Sequence, residues 1–246
     1  KALPQMESRS LTDQEQLNKS LATFNCIACH ERSGLGGIAP ERNALFSGSA
    51  PALGDQGRLP PTLTDVGAKL QPGWIAAVLL NGQRQRLYLD AAMPQFGEAN
   101  VGHLVSLFGK VDHLEEVLFP RITNIQESKD AGYEMIGATG FSCIACHDFN
   151  GQKSAGAGAL DLAYVTGRLQ KSWFHLYMRQ PQRFHPTGIM PSYWPGGQSI
   201  RPEVLGGDTA QQIEALWTYL AGGTQAKKPL GFFLTTTMSP RCGPTS

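Results

Sequence analysis

Cys26-Ile27-Ala28-Cys29-His30 and Cys143-Ile144-Ala145-Cys146-His147 are the same five residues written twice in a chain of 246. Two residues between the cysteines let one short turn present both sulfurs along a single edge, and the next residue then lies beneath whatever that edge holds. Histidine supplies a neutral imidazole nitrogen there, suited to a metal. Zinc ribbons, thioredoxin-like redox pairs and haem-attachment sites all use paired cysteines of this kind. A ribbon spaces its pairs by about 15–20 residues, and Cys29 and Cys143 are far more widely separated. A redox pair is expected beside a βαβ pattern, and the chain shows no sustained period-2 run that argues for a sheet.

The remaining chemistry fits each copy. In a C-x-x-C-H sequence both thiols bond a porphyrin and the His ligates its iron. Two copies imply two covalently attached haem c groups, held by Cys26, Cys29, Cys143 and Cys146, with His30 and His147 on the irons.

The repetition extends beyond the pentapeptides. Val66-Gly-Ala-Lys-Leu-Gln-Pro-Gly-Trp74 lines up without a gap against Val165-Thr-Gly-Arg-Leu-Gln-Lys-Ser-Trp173, and each block is followed by a Met-Pro pair, Met93-Pro94 and Met190-Pro191. Helical signals frame both halves. Thr12-Asp-Gln-Glu15 has the form of a capping box ahead of Leu17, Leu21 and Phe24. Ser128 through Phe141 is expected to be the counterpart helix, with Gly132, Gly137 and Gly140 weakening it but permitting close approach by a neighbour. Further helices are expected from Pro72 and from near Lys171, after Asn100 as a cap for Val101, Leu104, Val105 and Phe108, and after Asp208 or Thr209 for Ile213, Leu216, Trp217 and Leu220. The Gly/Pro/Ser-rich stretch between His30 and Lys69 reads as irregular loop.

Lys and Arg number 21 against 20 Asp and Glu, so the formal charge is +1. No basic stripe suggests nucleic acid as a partner. The longest apolar run, Trp74 to Leu80, is far short of the about 20 residues that a membrane helix needs, so no transmembrane segment is expected. A chain starting at Lys1 without an apolar signal segment is expected to be a processed or excised form. Because haem is attached outside the bacterial cytoplasm, a periplasmic or otherwise extracytoplasmic location is expected. Cys242 then has no intrachain partner and reads as a free thiol in a terminal tail, or as a contact with a partner subunit or a flanking domain.

With these motifs in place, the chain resembles a tandem pair of class I cytochrome c modules, over about residues 10–112 and 128–223. The resemblance implies an all-α fold of two helical modules with long irregular loops, residues 1–124 and 125–246, joined near Phe119 to Lys129. Each module would wrap one haem, with an N-terminal helix crossing a C-terminal one. It assigns Met93 and Met190 as second axial ligands, opposite His30 and His147. The thioether is a soft ligand that raises the potential of a His-ligated haem, and a residue before Pro is held extended. Met6 and Met238 fall in tails, and Met135 and Met178 in expected helices.

Pro40 is expected to lend its carbonyl to His30, whereas His147 needs a carbonyl from the Gly/Ala-rich loop at residues 150–158. His175 and His185 flank the second Met and are alternative ligands for the second iron; the ordinary reading of these two, and of His103 and His113, is surface or hydrogen-bonded histidine. Lys69, Arg168, Trp74 and Trp173 are candidates to hold the haem propionates, which need cations or donors when buried. Their alternative roles are packing for Trp and solvation for Lys and Arg. Arg84, Arg86, Arg179 and Arg183 are weaker candidates. Six-coordinate His/Met iron implies one-electron transfer with redox partner proteins and no catalytic residue. The competing expectation is a dihaem enzyme, peroxidase-like or a sulfur-compound oxidase, with one open iron and His185 or Glu98 as acid/base. A redox-sensing docking module is a third.

Overall fold

The computed structural model of the chain describes residues 9–232. Met6, Met238 and Cys242 lie outside the described residues. Among those residues the protein is mainly α-helical, with ten α-helices, short 3₁₀ turns and one two-stranded antiparallel sheet. Two compact units are present. The first comprises residues 9–43, Pro60–Gln83 and Met93–Leu114; the second comprises Ala44–Leu59, Arg84–Ala92 and residues 115–232. The sequence halves form the main bodies, but the division falls after Leu114 rather than after residue 124, and two loop segments of the first half belong to the second unit.

In the first unit α1 (Asp13–Thr23) starts at the expected capping box. Thr12 Oγ1 accepts from the Glu15 N–H at 3.2 Å, and the Glu15 carboxylate accepts from the Thr12 N–H at 2.9 Å. Leu17 and Leu21 are buried one turn apart. A 3₁₀ turn at Cys26–Ala28 follows, then the hairpin β1 (Glu31–Arg32) and β2 (Leu35–Gly36), with Arg32 paired to Leu35. Helices α2 (Val66–Lys69), α3 (Pro72–Asn81), α4 (Glu98–Val101) and α5 (Leu104–Val111) complete the unit. Asn100 does not cap: the helical turn begins earlier, at Glu98, and the Asn100 amide donates to the Phe96 carbonyl at 2.9 Å. Leu17, Leu21, Ile75, Val101, Leu104 and Phe108 form the core. Each large side chain so buried is worth about 1.5–3 kcal/mol. A buried ion pair ties the hairpin to the end of α5, with Arg32 on Asp112 at 2.5 and 3.2 Å and on the Leu63 carbonyl at 2.6 Å.

The second unit repeats the order with α6 (Ile125–Ile136), a 3₁₀ turn at Cys143–Ala145, α7 (Val165–Arg168), α8 (Lys171–Arg179), α9 (Pro181–Phe184) and α10 (Thr209–Leu220). Asn124 caps α6 by accepting from the Gln126 and Glu127 N–H groups, so the helix starts before Ser128 and ends at Gly137 rather than reaching Phe141. Asp208 caps α10 through the Gln211 N–H at 2.8 Å. Helices α6 and α10 cross where Gly132 sits: a Cβ there would lie 2.2 Å from the Ala215 carbonyl. The residue that weakens the helix is the one that lets the crossing form.

Candidate functional sites

Both pentapeptides adopt one geometry. Asn25 and Ser142, at φ 54° and 56°, turn the chain out of the preceding helix and into the 3₁₀ turn. The His30 and His147 N–H groups donate to the Cys26 and Cys143 carbonyls, each at 2.9 Å. In each pair the first cysteine faces inward and the second outward: Cys26 is half-buried, Cys143 buried, and Cys29 and Cys146 exposed, with none of the four in a disulfide. Burial raises the Cys26 thiol and pushes Cys143 up to about 12. A thioredoxin-like pair or a zinc thiolate needs the opposite shift. Among the described residues, no three His, Cys, Asp or Glu side chains gather as metal ligands, which a zinc site of four such groups requires.

Each motif histidine is oriented by a backbone carbonyl. His30 Nδ1 lies 2.6 Å from the Pro61 oxygen and His147 Nδ1 lies 2.8 Å from the Leu160 oxygen. A carbonyl only accepts, so Nδ1 carries the proton in both rings and Nε2 keeps its lone pair, the state in which imidazole binds a metal. The carbonyl partner of His30 is Pro61, not Pro40, and that of His147 is Leu160, two positions beyond the Gly/Ala-rich stretch. Pro61 and Leu160 occupy equivalent places, each five residues before the repeated Val66 and Val165. Burial first, and then the Arg168 charge, holds His147 below its usual value. The loops after the motifs press on the turns: a Cβ on Gly36 would lie 2.4 Å from the Ile27 oxygen, and one on Gly156 would lie 2.4 Å from the Ala145 oxygen.

The Met-Pro loops meet the motifs through a pair of aromatic rings in each unit. Phe24 packs on Phe96 with centroids 5.2 Å apart, and Phe141 stacks on Tyr193 at 4.6 Å. Phe24 and Phe141 each stand two residues before the first cysteine; Phe96 and Tyr193 each stand three after the methionine. Tyr193 also faces the Cys143 and Cys146 thiols, and burial raises its phenol. Trp194 holds this loop by donating to Gln212 Oε1 at 2.7 Å. Met93 is 37% exposed; Met190 is half-buried and its carbonyl accepts from the Gln182 amide at 2.8 Å. The aromatic pairs were missed in reading the sequence, although their matched offsets were on view.

Lys69 and Arg168 end α2 and α7 at equivalent places, and Trp74 and Trp173 lie in the first turns of α3 and α8. Trp74 is half-buried; Trp173 is buried, stacked on Tyr177 at 4.6 Å and edge-on to Phe184 at 5.4 Å. Arg168 interacts with Arg86, Tyr88 and Tyr177, and burial followed by the Arg86 charge brings it down to about 10. Arg84 turns back to the Leu89 carbonyl, and Arg183 pairs with Glu115 on an exposed surface. Buried Arg179 Nε has no hydrogen-bond partner among the described residues.

His175, the alternative to Met190, is buried within α8. It stands two positions from both Trp173 and Tyr177, on the far face of α8. There its Nε2 meets Glu214 at 3.1 Å and its ring is edge-on to Phe119. His185 stays with the Trp173 cluster, its ring 5.8 Å from Tyr177. Exposed Glu98 starts α4. His103 and His113 make surface hydrogen bonds, to Ser20 Oγ at 2.7 Å and to the Lys110 carbonyl at 2.9 Å. No helix among the described residues is long and apolar enough to cross a membrane. The chain matches no family model, no curated protein and no solved structure in comparisons with each, so the reading of these sites rests on their own residues.

Proposed function

We propose that the chain is a dihaem c-type cytochrome built from two class I modules, and that it carries single electrons between redox partner proteins outside the cytoplasm. One observation carries the reading. Twice over, a C-x-x-C-H turn holds its imidazole as the Nδ1–H tautomer on a backbone carbonyl, and an aromatic pair draws a Met-Pro loop to the same turn. The donor set fits the group: two free thiols on one turn, an imidazole with Nε2 left to a metal and a thioether on a loop packed alongside. When bound, a c-type haem supplies a one-electron couple at its iron, and a Met/His pair raises its potential. The chain would hold the group through Cys26, Cys29, Cys143 and Cys146, with His30 and His147 as ligands oriented by backbone carbonyls and Met93 and Met190 as the second ligands that would close each iron to substrate.

Production of the chain with the haem-attachment machinery is expected to give two covalently bound haems per chain by mass, both low-spin in the oxidised state. Met93→Ala and Met190→Ala should each open one iron, and only one, to carbon monoxide. Unmodified cysteines after such production would overturn the dihaem reading. A wild-type haem that binds carbon monoxide would favour a dihaem enzyme over a carrier.

A further inference from the structure

Residues 44–59 and 84–92 are written between the first motif and Met93, yet they belong to the second unit. The two segments pair with each other, Gly48 bridging to Leu89 and the Ser49 N–H donating to the Tyr88 carbonyl at 2.8 Å. Tyr88 and Ala159 both pack against the cluster of Ala50, Leu53 and Ala157. Ala159 pairs directly with His147, and the next carbonyl, that of Leu160, orients the His147 ring. At the other end Gln56 lies against Gly188, where a Cβ would sit 3.0 Å from its Nε2, two residues before Met190. The paired segments therefore form a strap that touches the chain on both the His147 side and the Met190 side.

The strap brings a cation. Arg86 stands two residues from Tyr88 on the strap, its charge and that of Arg168 both act on the Tyr88 and Tyr177 phenols, and the Arg86 charge acts on Arg168. Neither guanidinium forms an ion pair among the described residues, whereas Arg32, Arg58, Arg183 and Arg201 each have a carboxylate. Two half-buried like charges within electrostatic reach of each other are costly without an anion between them. Guanidinium forks flanked by phenol donors suit carboxylate oxygens, and two forks suit two carboxylates.

We propose that the strap closes over the edge of the second haem and that Arg86, from the first half of the sequence, clamps its two propionates jointly with Arg168. The inference rests on the dihaem reading. In the holoprotein, Arg86→Gln is expected to shift one of the two reduction potentials downward, because loss of a nearby cation favours the more positive oxidised iron. The shifted haem should be the one that Met190→Ala opens to carbon monoxide. The unclamped propionate should also give that potential a dependence on pH between about 5 and 8, and Arg86→Lys should restore most of the wild-type behaviour. The clamp is overturned if a folded Arg86→Gln protein carrying two haems keeps both potentials, if the shift falls on the haem that Met93→Ala opens, or if Lys fails to rescue. It is also overturned if added phosphate at constant ionic strength moves the wild-type potential, since the arginines would then hold an exchangeable anion. Wild-type protein without attached haem would instead defeat the dihaem reading itself, before any arginine variant is made.

Discussion

Asp112 joins the hairpin, α2 and the end of α5 in the first unit. Its side chain accepts from both Arg32 nitrogens and, at 2.8 Å, from the Gly67 N–H, at the point where α2 lies closest to α5. Asp112→Ala leaves Arg32 buried without its carboxylate, a loss of about 3–5 kcal/mol, which denaturant unfolding should register. A loss under about 1 kcal/mol would mean that water reaches the pair. The exposed pair of Arg183 and Glu115 should by contrast contribute little. The second unit has Phe149 where Arg32 stands after the motif, and this ring is buried and stacked on Tyr219. The two modules thus fill one position with a charge in one case and a ring in the other. The position was legible from the repeat; the partner, many residues downstream, was not.

At the scale of elements, α8 and α10 are joined by Glu214, which takes Lys171 Nζ at 2.7 Å and His175 Nε2 at 3.1 Å. Burial, then the Lys171 and Arg179 charges, holds the His175 imidazole neutral down to about 4. An unfolded His protonates near 6.5, so between those values the unfolded chain binds the extra proton. The contribution of His175 is full above pH 6.5 and is lost as pH falls toward 4, by about 2–3 kcal/mol. Urea midpoints at pH 7, 5.5 and 4.5 should drop more steeply for the wild type than for His175→Gln. Parallel curves would show that the imidazole gains a proton within the fold. The helix starts at Thr12 and Asp208, where a capping side chain stands just ahead of an apolar stripe, were legible. The start of α6 at Asn124 and the early turn at Glu98 were not, because apolar periodicity marks the buried face of a helix rather than its ends.

For the whole molecule, the non-colinear division makes a prediction of its own. Tyr88→Ala, a change in the first half of the sequence, should loosen the second unit at the Ala159 N–H bond to the Cys146 carbonyl. The ring is only partly buried, so a cost of about 1–3 kcal/mol is expected, below that of a fully buried aromatic. Hydrogen exchange resolved by residue should show faster opening around residues 157–160 and no change around Leu17 and Leu21; the reverse pattern would place the strap with the first unit. What the sequence by itself determined is local and repeated: the two C-x-x-C-H turns, the matched Trp and Met-Pro positions, the helical class and the caps at Thr12 and Asp208. Each follows from neighbours in the chain or from a copy of the same text. Tertiary structure alone decided which carbonyl holds each histidine, that His175 turns away from the Trp173 cluster, and that Arg86 joins Arg168 in the second unit. These depend on where irregular Gly-, Pro- and Ser-rich segments fold back, and such segments carry no periodicity to say which surface they will cover.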